Sequence, residues 1–584
     1  MSAGRTGGPT DGPPRGGGAG DHGQGDDERE ERPVTGSGSG WVPAAPTGSS
    51  PVPAGRRPDR PDREGRVTPR VVAAVVGLVL VAGTAAAAAT AGSAGVAGTA
   101  PTAGGAVEVD AGPVTTSRGC GGGPVAAPDE GTDGDFATVV TPPDTRLRAL
   151  ATGAGTPLEL VGAPATSTST AGGAEPAADA AAEPVDGAAV LGGAAGSGGA
   201  ASVRVTGATT AVPALGALAT TSTPDGDLRG LAASSCAAPS SDAWLVGGAT
   251  AAGTSTRLTL VNPGETTAEA SLEVLTPEGL VQPPAGRGVV VPPGARVDLL
   301  LDALVPDVEG LAVHVTSTGG AVAPSLSVDR LSGVVARGVE EVTPGASPAT
   351  SAVVPGVPTV AGSTAVLRLG VPGAEAADVS WDVVAAPDQA EAAALLSSAT
   401  TVPAGSVVDV PLGGLPVGTS AVVVDADVPV LASVVVERAP GGAPAVADLA
   451  VAPSASPLAA GTAVVLPDAG AGLTSSLALT ATGDVATTVD LAPVAADGTV
   501  GEAVPVELLG GTTAAVDPGA LAPGAAGLVV TGVTGADGGA ADVVAALVLT
   551  AAAVPESVAV VAPSAPPAAA GSTPVLVAPP GRWP

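Results

Sequence analysis

The sequence contains a series of short apolar segments, rich in Val and Ala and separated by Gly and Pro, and this series occurs more than once along the chain. Residues 257–280 hold two such segments around the turn Pro263-Gly264, and apolar and polar side chains alternate along the second. The order recurs twice downstream, the last time more weakly, and Arg330 and Arg438 end corresponding segments about 108 residues apart. Because alternation is typical of half-buried strands, the sequence predicts an all-β protein.

Units of this length with six or seven short strands are typical of immunoglobulin-like β-sandwiches. We therefore predict tandem sandwich modules, each closing its own core, at residues 246–345, 346–446 and 447–562. A β-propeller is the alternative architecture, although the sequence contains no shorter blade period.

The residues before the first repeat are predicted to form a divergent β domain over 116–245, with a low-complexity, disordered insertion at about 165–200. Its strands are predicted at residues 136–140, 158–161 and 203–205. The Pro/Ala-rich residues 563–584 follow the last repeat as a tail.

The N-terminal part predicts a membrane topology. Residues 1–70 are almost free of apolar side chains and are predicted to be a disordered cytoplasmic tail. Six arginines between 56 and 70 precede the apolar residues 71–91, which orients the N-terminus to the cytoplasm and the remainder outside. Residues 71–91 are predicted to be an uncleaved transmembrane helix or signal anchor, followed by a linker at 92–115. The alternative is a cleaved signal and a secreted protein.

Cys120 and Cys236 are the only cysteines, and both lie in the part predicted to be exported, where disulfides persist. We predict a disulfide between them within one chain. Free thiols and an intermolecular link are the alternatives. Two cysteines without a nearby histidine cannot form a four-ligand zinc site.

Composition excludes several classes of function. All 23 basic residues are Arg, and a chain without Lys has no P-loop lysine and no Schiff-base lysine. The formal net charge of −33 repels nucleic acid. The run Gly18–Gly23 matches the dinucleotide pattern but has no strand before it and no helix after it. Only His22 and His314 could supply imidazole, so we predict no catalytic residue, no cofactor and no metal site.

Other polar and aromatic residues have simpler predicted roles. Asp129 to Asp135, in the run DEGTDGD, are predicted to form a solvated loop, with calcium binding as the alternative. Asp425 and Asp427 are predicted to flank a hairpin turn, Trp244 and Trp381 to pack in cores, and His314 to face solvent or cap a strand edge. One helix is predicted over 389–397, with Asp388 as its cap and Glu391 in the reciprocal capping position.

Several motifs together resemble those of an uncharacterised family of actinobacterial secreted or membrane-anchored proteins, the domain of unknown function 5719 (DUF5719) family. The resemblance covers most of residues 70–560 after a single N-terminal span. Its motifs are Cys120-Gly-Gly-Gly-Pro124, Arg229-Gly230-Leu231, Trp244-Leu-Val-Gly-Gly248 and Leu260-Val-Asn-Pro-Gly264. It implies a location in the cell envelope and brings no established activity or catalytic residues.

These observations favour a non-enzymatic scaffold of the cell envelope, anchored in the cell membrane through residues 71–91, with an envelope protein or polysaccharide as partner. The alternatives are an exported enzyme or accessory factor in envelope polysaccharide metabolism, whose acids would be its catalysts, and a sugar-binding adhesin. The shortage of aromatic side chains disfavours the adhesin.

Overall fold

A computed structural model describes residues 106–109, 114–124, 143–162, 180–185, 187–194, 201–208, 212–440, 446–566 and 573–576. All of them belong to one compact unit that spans Thr102–Pro584. The predictions for residues 1–70, 71–91, 129–135 and 136–140 lie outside the described residues. Within the described part of the chain, no helix is both long enough and apolar enough to cross a membrane.

The described residues form 34 strands, β1 to β34, and only a few helical turns. After β1 (Ala106–Val109), the strands of module 1 are β2 (Thr115–Cys120), β3 (Asp144–Thr152), β4 (Leu158–Gly162), β5 (Ala180–Ala182), β6 (Ala188–Ala194), β7 (Ala201–Thr206), β8 (Ala214–Thr223) and β9 (Gly230–Ser235). The elements of module 2 are β10 (Asp242–Val246), β11 (Thr254–Val261), β12 (Ala268–Thr276), β13 (Gly279–Val281), β14 (Val289–Val291), β15 (Arg296–Leu300), helix α1 (Leu301–Leu304), β16 (Ala312–Thr318), β17 (Ala323–Ser332) and β18 (Val335–Val342).

The elements of module 3 are β19 (Ala349–Thr359), β20 (Thr364–Gly370), β21 (Ala377–Val384), α2 (Ala390–Ala393), β22 (Ser398–Val402), β23 (Val407–Pro411), β24 (Gly418–Arg438) and β25 (Asp448–Pro453). The elements of module 4 are β26 (Ala463–Val465), β27 (Leu473–Ala481), β28 (Thr487–Ala495), β29 (Val504–Leu508), β30 (Thr512–Val516), α3 (Pro518–Leu521), β31 (Ala525–Gly535), β32 (Val543–Ala551) and β33 (Val554–Val561), and β34 (Thr573–Leu576) follows. Single 3₁₀ turns occupy Pro284–Gly286, Pro387–Gln389, Ala394–Leu396 and Ala469–Ala471.

Each module contains two antiparallel sheets with the same strand order in all four modules. The first sheets run β2-β7-β4-β5, β10-β16-β12-β13, β19-β24-β21-β22 and β26-β31-β28-β29. The second sheets run β6-β3-β8-β9, β15-β11-β17-β18, β23-β20-β24-β25 and β30-β27-β32-β33. Module 1, predicted to be a divergent β domain, therefore has the same sheet topology as the three repeats.

The alternation that predicts the strands also determines which side chains the sheets bury. Along β21, Ala377, Val379, Trp381 and Val383 are buried while the residues between them are exposed or half-buried. In contrast, all six residues of β25 are buried, which indicates a strand covered on both faces.

The last strand of each module lies at the centre of the molecule. We call β9, β18, β25 and β33 the inner strands. β9 contacts β18, β18 contacts β25, β25 contacts β33, and β33 contacts β9, so the four modules close into a ring. The inner strands surround the axis of this ring.

The apolar cores continue from one module into the next. The core of module 2 includes Leu449 of module 3, and the core of module 3 includes Val558 of module 4. The core of module 4 includes Leu150 of module 1, and Ala232 of module 1 packs on Val339 of module 2. The prediction that each module closes its own core is therefore wrong, because each inner strand is shared with its neighbours.

Several local predictions are confirmed and others are corrected. The strands predicted at 158–161 and 203–205 are present as β4 and β7. The insertion predicted to be disordered at 165–200 contains β5 and β6, which are edge strands of the two sheets of module 1, so the prediction is wrong for these residues. β1 lies in the predicted linker and β34 in the predicted tail, and these two strands pair with each other.

Asp425 and Asp427 do not flank a turn. They lie within β24, which passes without interruption from the first sheet of module 3 into the second, and Asp427 Oδ1 accepts a hydrogen bond from the backbone N–H of Asp378. The predicted helix at 389–397 is reduced to α2 and the 3₁₀ turns beside it, and no side chain caps its N-terminal end. Two predicted module limits are also misplaced. The limit at residue 245 falls within β10, and the limit at residue 446 separates β25 from β24, with which it pairs.

The predicted disulfide is present. Cys120, the last residue of β2, is bonded to Cys236, which follows β9, and both are buried. The bond closes 116 residues of chain, a constraint on the unfolded state that corresponds to about 4–5 kcal/mol in the chain-entropy model. It joins the first strand of module 1 to the end of its inner strand.

Candidate functional site

The inner strands meet around the carboxylate of Asp448, the first residue of β25. Asp448 Oδ2 accepts hydrogen bonds from the backbone N–H groups of Leu231 at 2.9 Å and Val558 at 3.0 Å. Asp448 Oδ1 accepts from Val339 at 3.2 Å and from Leu449 at 3.0 Å. These donors come from β9, β33, β18 and β25, so one fully buried carboxylate bonds all four modules.

Glycine makes room for this carboxylate in two of the other inner strands. A Cβ atom on Gly230 would lie 2.3 Å from Asp448 Oδ1, and one on Gly338 would lie 2.5 Å from the same oxygen and 2.2 Å from the backbone nitrogen of Leu449. Both glycines also have positive φ angles. No other residue fits either position without displacing the carboxylate or the neighbouring backbone.

A second buried carboxylate, that of Glu340, is arranged similarly. Glu340 lies on β18, two residues after Gly338. Glu340 Oε1 accepts hydrogen bonds from the backbone N–H of Glu341 at 2.8 Å and, more weakly, from Ala233 of β9 at 3.4 Å. Glu340 Oε2 accepts from Val451 of β25 at 3.3 Å. We call Asp448 and Glu340 the axial carboxylates, because they link the inner strands at successive levels of the ring.

Burial affects the protonation of both axial carboxylates. Burial raises the pKa of Asp448 to about 7 even though its four backbone hydrogen bonds favour the ionised form. Burial, together with the charge of Asp448, raises the pKa of Glu340 well above its ordinary value. No arginine among the described residues forms an ion pair with either axial carboxylate, and the partners of both are backbone N–H groups.

The inner strands end at a cavity on the same axis, which we call the axial cavity. Its volume is about 290 Å³, and the segments that follow β9, β18, β25 and β33 all contribute to its wall. These segments are rich in Ser and Pro. They include Ser235 to Ser240, Thr343 to Ser347, Ser454 to Leu458 and Ala562 to Ala565.

Arg118 is the cation in the wall of the axial cavity. It lies on β2, is 4% exposed, and donates hydrogen bonds from Nε to the carbonyl oxygen of Leu215 at 3.0 Å and from Nη2 to that of Ala565 at 2.6 Å. Burial lowers its pKa to about 10. Throughout the described ranges, no carboxylate forms an ion pair with Arg118.

The other polar groups of the axial cavity are mainly hydroxyls. Ser235 Oγ and Ser564 Oγ are 3.0 Å apart and join modules 1 and 4. Four further hydroxyls in the wall make no hydrogen bond with any other described residue. These belong to Thr343, Ser347, Ser454 and Ser456.

A small cluster around His314 borders the axial cavity. The His314 ring stacks on Trp244, with centroids 4.0 Å apart and planes 3° from parallel. His314 Nε2 lies 3.1 Å from Asp242 Oδ1, and Nδ1 lies 3.3 Å from Glu273 Oε2. Both ring nitrogens of His314 therefore face carboxylate oxygens, one on each side of the ring.

The two aromatic predictions and the histidine prediction have different outcomes. Trp244 and Trp381 are buried, as predicted. His314 does not cap a strand edge, because its strand β16 lies between β10 and β12, and its side chain is held between two carboxylates.

A larger cleft of about 1120 Å³ lies between modules 2 and 3. Three arginines and three acids line it, and most are paired. Arg368 bonds both oxygens of Asp409 at 2.8 Å, and Glu437 pairs with Arg337 and Arg330. No group of three or more His, Cys, Asp or Glu side chains in the described residues is placed to hold a metal ion.

A comparison with protein families identifies the chain. The model of a family of unknown function, DUF5719, matches residues 190–519, which is more than half of the sequence. The chain belongs to the DUF5719 family. No curated protein and no solved structure matches it. The matched region of this DUF5719 protein begins in β6 and ends in α3, so it includes both axial carboxylates.

The sequence does contain one indication of the contact between the inner strands, although the alternation of apolar and polar residues does not reveal it. Arg229-Gly230 and Arg337-Gly338 are 108 positions apart, the same as the repeat length, and both glycines face Asp448. The sequence does not indicate that either axial carboxylate is buried, because an isolated acid in an apolar strand ordinarily marks a solvent-exposed face.

We expect Gly338→Ala to destabilise the protein by about 2–4 kcal/mol, because the added methyl group must displace Asp448 or the backbone of β25. Gly333→Ala is the matched control. Gly333 also has a positive φ angle, 62°, but nothing lies within 4 Å of its Cβ position, so backbone strain alone should cost about 1 kcal/mol. Urea unfolding of both variants measures the difference, and equal losses would contradict the crowding at the axis.

The raised pKa values predict that stability falls as the pH rises. A carboxyl group with a higher pKa in the folded state than in the unfolded state stabilises the fold fully only below its unfolded pKa, near 4. For Asp448 that contribution is lost as the pH rises through about 7. We expect the free energy of unfolding to decrease by up to ~1.4 kcal/mol per pH unit for each axial carboxyl between about pH 5 and 7.

Urea unfolding across this pH range tests that expectation. The double variant Asp448→Asn/Glu340→Gln is the control, since its amides do not titrate, and its slope over the same range should be flatter. If the free energy of unfolding of the wild type is constant or increases from about pH 5 to 7, the pKa values of the axial carboxylates are not raised by folding.

Proposed function

We propose that this DUF5719 protein is a non-enzymatic binding protein of the cell envelope, a ring of four immunoglobulin-like β-sandwich modules that presents the axial cavity to a partner. The observation that carries the proposal is the construction of this cavity. All four modules contribute to its wall, which is lined by a buried arginine and by several hydroxyls that make no hydrogen bond with the described residues. Concave sites with a few convergent polar groups are where proteins ordinarily bind ligands.

The arrangement of acids and His314 supports a binding role over catalysis. In a Ser-His-Asp triad, one imidazole nitrogen faces the carboxylate and the other faces the nucleophile. Both nitrogens of His314 face carboxylates instead. Glycoside hydrolysis needs two carboxyl groups, and in the described wall of the axial cavity Asp242 is the only acid.

The exported enzyme is the second candidate, and the cleft between modules 2 and 3 favours it. Glu309, Asp409 and Glu437 line this cleft, and its volume suits an extended substrate. Asp409 is paired with Arg368 of the same module, and Glu437 is paired with Arg330 and Arg337 of module 2, which is typical of structural ion pairs. This alternative predicts that Glu309→Gln abolishes hydrolysis of an envelope polysaccharide.

The location outside the cell membrane is part of the proposal. The disulfide between buried cysteines suits an oxidising compartment, and the arginines before residue 71 favour a cytoplasmic N-terminus. Anchoring through residues 71–91 would hold the ring close to the membrane, within reach of an envelope protein or polysaccharide.

The absence of Lys from the sequence allows a direct test, because one introduced lysine becomes the only side-chain amine. Ser456 and Ser347 are exposed at the rim of the axial cavity, and Val334 is 93% exposed at the opposite end of β18. Purified Ser456→Lys, Ser347→Lys and Val334→Lys would each be labelled with an amine-reactive diazirine, then added to spheroplasts and illuminated.

We expect both rim lysines to capture the same protein or polysaccharide and Val334→Lys to capture none of it. Equal capture by Val334→Lys, or no capture by either rim lysine, would show that the partner does not dock at the axial cavity.

A further inference from the structure

The charge of Arg118 is the strongest evidence for what the axial cavity binds. Burying a cation is costly unless an anion accompanies it, and Arg118 has no carboxylate partner in the described part of the chain. A guanidinium has five N–H donors, and two of them are used by the carbonyl oxygens of Leu215 and Ala565. The remaining three donors match the geometry of a carboxylate, which arginine binds with two parallel hydrogen bonds.

The hydroxyls that line the axial cavity together with Arg118 indicate the rest of the ligand. Thr343 and Ser454 are less than a tenth exposed, and their hydroxyls are without hydrogen bonds to the described residues. A hydroxyl both donates and accepts, so it pairs well with a ligand that carries hydroxyls of its own. Ser347 and Ser456 extend this set to the exposed rim.

Size and charge restrict the ligand further. A volume of about 290 Å³ is at the lower end for ligand cavities and suits one sugar-sized unit. The net charge of −33 opposes a polyanion, whereas a single carboxylate gains more from Arg118 than it loses to distant charges. Trp244 is 8% exposed and covered by His314, so binding depends on hydrogen bonds rather than on an open aromatic platform.

We propose that the axial cavity binds a hydroxylated carboxylate, namely an acidic sugar residue of a glycan, whose carboxylate is held by Arg118 and whose hydroxyls are held by Thr343 and Ser454. The inference rests on the proposed function and specifies its ligand. Arg118 and the hydroxyls come from different modules, so the ligand would bind only to the closed ring.

Ligand-observed NMR on the full chain tests this inference with four probes: D-glucuronate, D-glucose, acetate and N-acetyl-alanyl-alanine. D-glucose lacks the carboxylate, acetate lacks the hydroxyls, and the dipeptide represents the carboxyl terminus of a protein. We expect glucuronate to bind at least about tenfold more tightly than the other three, since each of them loses one set of charge-assisted or hydroxyl contacts.

Arg118→Gln should weaken glucuronate binding by about tenfold or more and leave the weak binding of glucose unchanged. Because Arg118 also bonds two backbone carbonyls, Thr343→Val/Ser454→Ala provides a second test in which Arg118 is retained. That variant should reduce glucuronate affinity and leave acetate binding unchanged.

Equal binding of glucose and glucuronate, tighter binding of the dipeptide, or glucuronate binding that neither variant changes would overturn the inference. Failure here is distinguishable from failure of the proposed function. If the rim lysines still capture one partner while glucuronate does not bind, the ligand class is wrong and the docking site stands. If capture is lost as well, both are wrong.

Discussion

Four backbone N–H groups, one from each module, point at the carboxylate of Asp448, and the arrangement of the whole ring depends on that convergence. The inner strands are edge strands of their sheets, and an edge strand presents unpaired backbone groups that must find partners when buried. Asp448 accepts hydrogen bonds from those groups in the centre of the ring, where four edges meet and no further strand fits. Glu340 does the same at the next level with three of the four strands.

Burying the carboxylate of Asp448 is unfavourable in free energy, and other interactions in the structure offset this. Removing a carboxylate from water is unfavourable, and the charge is compensated by hydrogen bonds rather than by an arginine. The neighbouring arginines instead bind acids slightly away from the axis. Arg229 pairs with Glu556 across modules 1 and 4, and Arg337 pairs with Glu437 across modules 2 and 3. The apolar cores run continuously between modules, so a ring with few aromatic side chains buries more surface than four separate sandwiches could.

Alternating side chains and Gly/Pro turns suffice to predict most strands of modules 2 to 4, because alternation is a local property of the sequence. The closed ring is not local. Asp448 receives hydrogen bonds from residues more than 100 positions away, and in the sequence it is one of many acids in an acidic chain. His314 was misplaced for a related reason: β10, which pairs outside β16, belongs to a segment assigned to the preceding domain. Asp425 and Asp427 resemble turn residues, but β24 continues through them because both sheets of module 3 need it.

The axial cavity follows from the same geometry, since four inner strands that converge must also end together. Arg118 could be noticed in the sequence only as a neighbour of Cys120, and its role depends on Leu215 and on Ala565 at the far end of the chain. Hydroxyl-rich segments after each inner strand are visible as recurrent Pro and Ser, as in residues 451–457 and 561–566. Their convergence is visible only in the folded ring.

Hydrogen–deuterium exchange of wild type and Asp448→Asn measures the central claim most directly. If one carboxylate joins the four modules, the segments that contain Leu231, Val339, Leu449 and Val558 should be among the most protected in the wild type. All four should then lose protection together in the variant, because an amide can accept at one atom only. Loss of protection confined to β25, with β9, β18 and β33 unchanged, would show that the modules do not depend on Asp448 and would contradict the account.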